Sequence, residues 1–72
     1  MDATQLGKLL RESYEGAEKK EKVTMIHLFG IKYWEEIKKS NISEIIAESG
    51  IYSTYKTELG KGVKLARYVK LL

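Results

Sequence analysis

A chain of 72 residues with no cysteine and one histidine, His27, has few ways to hold itself together. A domain this short buries limited apolar surface and commonly relies on a disulfide, a metal or a partner. Here no disulfide can form, and zinc sites built on cysteine or on a histidine pair are excluded. What remains is close packing of helices, aided if at all by a second subunit or a ligand. The length allows one domain over residues 1–72, because a second core could not close from so little chain.

The apolar residues recur at helical spacing. Leu6, Leu9, Leu10, Ser13, Tyr14 and Ala17 share one face at a period of about 3.6 residues, which predicts an amphipathic first helix. Asp2 and Gln5 have the spacing of a capping box at its start, with Asp in place of the usual Ser or Thr. Gly16 and the charged run EKKEK, Glu18 to Lys22, interrupt the pattern and read as a solvated loop. In VTMIHLFGIKYWEEIKKS, Ile26, Phe29, Gly30, Tyr33, Trp34 and Ile37 fall on one helical face. Met25, Leu28 and Ile31 lie elsewhere around the same cylinder. A helix apolar on several sides is central, covered by its neighbours or by a second copy. The β-branched residues of KVTMIHLFGI keep a strand open as the alternative over 23–31. Gly30 would cost about 1 kcal/mol in a helix interior, so it marks close packing against another backbone or a break between two shorter helices. Phe29 and Trp34 read as packing residues.

Further on, Asn41 and Glu44 have N-cap and N3 spacing ahead of Ile42, Ile45 and Ile46. Gly50 fits the position where a left-handed backbone ends a helix. ISEIIAES is therefore a short helix, followed by the turn GIYS, and Ser53 or Thr54 can cap what comes next. Taken as one further helix, Tyr55, Leu59, Gly62, Ala66 and Val69 gather on one side. Ser53, Thr57, Gly60, Lys61, Lys64 and Tyr68 gather on the other. A break near GKG is compatible with this pattern, and YVKLL can finish as a short extended tail. The expected fold is all-α: a compact bundle of four or five short helices with a C-terminal helix-turn-helix.

The net charge of +3 is unevenly spread. Residues 1–21 carry four basic and five acidic groups, and residues 22–49 carry four of each. Residues 50–72 hold Lys56, Lys61, Lys64, Arg67 and Lys70 against Glu58 alone, a net of +4. Such asymmetry points to a polyanionic partner, nucleic acid first and an anionic membrane surface second. The membrane is the weaker fit, since few bulky apolar residues lie opposite the lysines. No apolar run approaches the roughly 20 residues of a membrane span, and no signal peptide is visible at the start, so a cytoplasmic protein is expected.

For catalysis the residues are poorly arranged. His27 has no serine or cysteine constellation, Glu35 and Glu36 are adjacent and so diverge on a helix, and GKGVK lacks the Walker spacing. No catalytic residue, metal ligand, cofactor or small-molecule ligand is expected. DNA contact is expected from Tyr52, Ser53, Thr54 and Thr57, with Lys56, Lys61, Lys64 and Arg67 neutralising phosphates. The alternative is that the lysines merely solubilise a core helix; their lack of acidic partners argues against it. The tyrosines raise the option of single-strand stacking, with Tyr52 and Tyr68 exposed and Tyr55 on the core side.

MIHLFGIKYWEEI and TYKTELGKGVKLARYVKL together resemble a small helix-turn-helix-like domain of bacterial and phage-type proteins, over about residues 22–71. The resemblance implies double-stranded DNA as partner, bound from near Ser53 onward, and a regulatory or accessory role. A homodimer is expected as well, because Met25, Leu28 and Ile31 add apolar surface that one short chain struggles to cover. The competing reading is a protein-interaction module that docks a partner around Leu28 and Ile31.

Overall fold

The polar residues flanking the apolar runs set where most helices start and stop. In the computed structural model, which describes residues 1–71, the chain forms five α-helices and, among these residues, no strand. They are α1, Ala3–Gly16; α2, Lys22–Lys32; α3, Trp34–Lys38; α4, Ile42–Ser49; and α5, Tyr55–Leu65. Asp2 and Gln5 form the expected capping box: Asp2 Oδ1 accepts from the Gln5 amide at 2.9 Å, and Gln5 Oε1 from the Asp2 amide at 3.1 Å. At α4, Asn41 Oδ1 accepts from the Glu44 amide at 3.1 Å, and Gly50 ends the helix at φ 73°.

α5 starts differently from expectation. Thr54 already has helical dihedrals, and neither it nor Ser53 caps through its side chain. The amides of Tyr55 and Lys56 donate instead to the carbonyls of Tyr52 and Ser53, at 3.0 and 3.1 Å. The turn winds directly into the helix.

Residues 23–31 are helical, which settles the strand alternative. Ile26, Phe29 and Gly30 are buried at helical spacing, and α2 packs against both α1 and α5. The break between α2 and α3 falls at Tyr33 and not at Gly30. Tyr33 donates its amide to Phe29 O at 3.0 Å and accepts from Ile37 at 2.9 Å, so the two helices are a kinked pair. The EKKEK run is not wholly loop. It holds a 3₁₀ turn, Lys19–Glu21, and then Lys22 opens α2. Lys22 is also no solvated charge: its Nζ donates to the carbonyls of Tyr14 and Ala17 at 2.7 and 3.2 Å. It thereby caps the end of α1 at the Ala17 carbonyl and gives the Tyr14 carbonyl a second donor beside the Ala17 amide, which lies 3.3 Å away.

The core consists of Leu6 and Leu10 from α1, Ile26 and Phe29 from α2, Ile37, Ile45 and Ile46 from α3 and α4, and Leu59 from α5. α1 lies on α4, and α2 lies on α5. Glycine makes both crossings close. A Cβ on Gly7 would stand 2.6 Å from Glu48 Cβ, and a Cβ on Gly62 would stand 2.4 Å from His27 O. Gly30 and Gly62 face each other across the α2–α5 crossing: a Cβ on Gly30 would come within 2.9 Å of Gly62 Cα. Close packing, not a break, is therefore the reason for Gly30. The GKG segment likewise stays helical.

Two expected core residues are not buried. Trp34 is 38% exposed and Val69 is 44% exposed. α5 ends at Leu65, and a turn over Ala66–Tyr68 carries Val69 off the helical face it would otherwise share. Residues 69–71 have no regular structure, as expected of a tail, and Leu72 lies outside the described residues.

Candidate nucleic-acid interface

All eight side chains expected to meet DNA are exposed. Tyr52, Ser53 and Thr54 form the turn leading into α5, and Lys56 and Thr57 belong to its first turn. Thr57, Lys61 and Lys64 follow one another along the face opposite Leu59 and Gly62, which are buried against α2. Lys56 sits about a quarter-turn from that line. Arg67 lies beyond the helix, with its guanidinium 5.9 Å from the Tyr68 ring centre. The face is thus one hydroxyl and two lysines deep, with Lys56 and Arg67 at its margin.

Its two sides differ. On one flank, Glu58 reaches between helices: His27 Nε2 of α2 lies 2.5 Å from Glu58 Oε2, and Lys61 Nζ lies 3.2 Å from Glu58 Oε1. A carboxylate only accepts, so Nε2 must carry the proton and donate. Lys56 and Lys64 form no ion pair among the described residues, but Lys61 does, which corrects the expectation of unpartnered lysines at that position. The hydrogen bonds from His27 and then Lys61 hold the Glu58 carboxyl below its ordinary 4.5. A lowered folded-state value means that Glu58 contributes stability above pH 4.5, lost as pH falls through the folded-state value. Thermal melts from pH 6 to about pH 3 should show this loss, and Glu58→Gln should flatten the decline. Identical slopes for parent and variant would mean the pair is not formed in solution.

On the other side of the turn the tyrosines form a row. Tyr14 and Tyr55 ring centres are 5.4 Å apart, Tyr55 and Tyr52 6.2 Å. Tyr55 packs against the core, as its register predicts, while Tyr52 and Tyr68 are 73% and 78% exposed. The Tyr14 phenol is held above its ordinary value, first by its hydrogen bond with Tyr55 and then by burial.

The HTH-like domain family matches residues 2–72, nearly the whole chain and more than the stretch that carries the resemblance. The chain belongs to this family. No curated protein and no solved structure matches it. An HTH-like domain suggests a DNA-binding role in general.

Within this HTH-like domain, α4, the turn over residues 50–54 and α5 supply the helix-turn-helix rhythm. Ile46 and Leu59 are buried, and Ile51 of the turn packs against the core. At the start of the second helix Lys56 points outward and Tyr55 takes the inward place. Sequence reasoning missed two surface residues, Trp34 and Lys38, whose ring and ammonium lie 5.5 Å apart beside α5. Their spacing of four on a helix was the available signal. Among the described residues no group of histidines and carboxylates could hold a metal, and no helix is long and apolar enough to cross a membrane.

Proposed function

We propose that this HTH-like domain binds double-stranded DNA without catalysis, in a regulatory or accessory role in the cytoplasm, and that it presents the outer face of α5 to a groove. The observation that carries this reading is the alignment of Thr57, Lys61 and Lys64 on the side of α5 away from the core. α5 holds no Arg, Asn or Gln, the residues suited to bidentate base reading. Affinity therefore comes chiefly from phosphates, and sequence selectivity is modest or is supplied by a second copy. Three or four phosphate contacts correspond to a slope of about −3 in log affinity against log salt. Anisotropy titrations of labelled duplex at low and physiological salt measure it, and absence of binding at low salt removes the proposal.

The homodimer belongs to the same proposal. Val23 and Leu28 are exposed on the outer side of α2, while Met25 and Ile31 are half-buried. Two copies joined there would read paired half-sites. Sedimentation should show a dimer; a monomer at high concentration would limit the functional unit to one chain.

A further inference from the structure

A groove of about 530 Å³ runs beside α5 on the flank away from Glu58. Its floor is Trp34 and Ile37 of α3, Ile42 of α4, Val63 of α5 and Ala66 just beyond it. Three cations, Lys38, Lys64 and Arg67, stand among the residues that line it, and no acidic residue does. Ser40 and the Trp34 indole N–H are the uncharged side-chain groups there able to hydrogen-bond.

We propose that this groove docks a short acidic segment of a partner protein, with bulky apolar side chains on the floor and flanking carboxylates at Lys38, Lys64 and Arg67. Charge complementarity selects this occupant. A cationic rim without a carboxylate disfavours a basic or neutral segment, while a mostly aliphatic floor with one indole gives an acidic segment apolar area to bury. The volume is that of a pocket that seats a pair of large side chains. Nucleic acid fits the floor poorly. Bases need flat platforms, and the single indole present already carries the Lys38 ammonium near its ring, 5.5 Å from its centre. Lys64 and Arg67 belong also to the proposed DNA face, so an acidic partner seated here would compete with DNA for these two cations. The docking itself does not depend on DNA binding.

The probe is a fluorescein-labelled synthetic peptide in which Asp and Glu flank Leu and Phe; its control carries Lys in place of every acid. Trp34 is the chain's one tryptophan, so its emission reports occupancy of the groove directly. Saturable binding of the acidic peptide, a shift in Trp34 emission and no binding of the control are expected. Gly60→Leu fills the groove: a Cβ there meets only Ile42 Cδ1, at an ordinary 4.0 Å. It should weaken the peptide about tenfold or more without lowering the melting temperature, since leucine is a better helix former than glycine. Lys38→Glu, on an exposed side chain remote from the core, should weaken it about fivefold and serves if Gly60→Leu does not fold. No binding of the acidic peptide would overturn the proposal. Binding unchanged by both substitutions would overturn it too, because the peptide would then sit on the α5 lysines alone. So would duplex DNA that shifts Trp34 emission and is itself lost in Gly60→Leu, since the groove would then belong to the nucleic-acid interface.

Discussion

Gly62→Ala should destabilise the fold by about 3 kcal/mol, whereas Gly60→Ala, two residues earlier in the same helix, should stabilise it by about 0.5–1 kcal/mol. By propensity alone both substitutions should help, because alanine is the better helix former. Tertiary contact reverses the sign at one of them. A methyl on Gly62 would stand 2.4 Å from His27 O and 3.1 Å from Gly30 Cα, both backbone atoms that cannot rotate away. The whole α2–α5 crossing would have to widen, and Ile26, Phe29 and Leu59 would lose contact together. A methyl on Gly60 meets only one side-chain carbon, at 4.0 Å. For a domain this small, whose total stability is on the order of 4–10 kcal/mol, Gly62→Ala should lower the melting temperature by about 10 °C or more. Gly60→Ala should raise it by a few degrees. Urea and thermal unfolding of both variants provide the measurement. Equal effects from the two alanines would show that α2 and α5 do not approach as closely as described.

Lys61→Ala with Lys64→Ala should separate binding from folding. Both side chains are exposed on α5, so the melting temperature should hardly move. Loss of two phosphate contacts should flatten the salt slope by about 2, from about −3 to about −1. Lys61 also holds Glu58, but His27 retains that carboxylate when Lys61 is gone. Leu59→Ala is the converse. Leu59 is fully buried, and truncating it should cost about 2–5 kcal/mol through lost burial and a cavity. Its binding should fall only in proportion to the unfolded fraction. If the double lysine variant binds duplex DNA like the parent, these lysines are solvent decoration and the DNA contact lies elsewhere.

The helices whose ends carry a local signal were legible in the sequence. Asp2 with Gln5, and Asn41 with Glu44 and Gly50, mark α1 and α4 through bonds that close within a few residues. The inward row of Tyr55, Leu59 and Gly62 followed from the helical period, and so did the outward row of Thr57, Lys61 and Lys64. Trp34 and Val69 were misplaced because period alone assumes a straight helix. The kink at Tyr33 and the turn after Leu65 each rotate the following residues away from the register their neighbours set.

Local chemistry, then, decided by itself that α1, α4 and α5 are helical, how α1 and α4 are capped and which side of α5 carries charge. Those choices rest on hydrogen bonds and periodicities spanning a few residues. Only the tertiary structure decided that Gly30 and Gly62 meet, because two residues far apart in sequence leave no mark of their contact except the absence of a side chain. It also decided that Glu58, the single acid among the C-terminal lysines, turns toward His27, and that Trp34 and Lys38 stand at a groove beside α5. Each of these depends on how one helix lies across another. That angle and distance are set by the packing of whole faces, which no local run of residues contains.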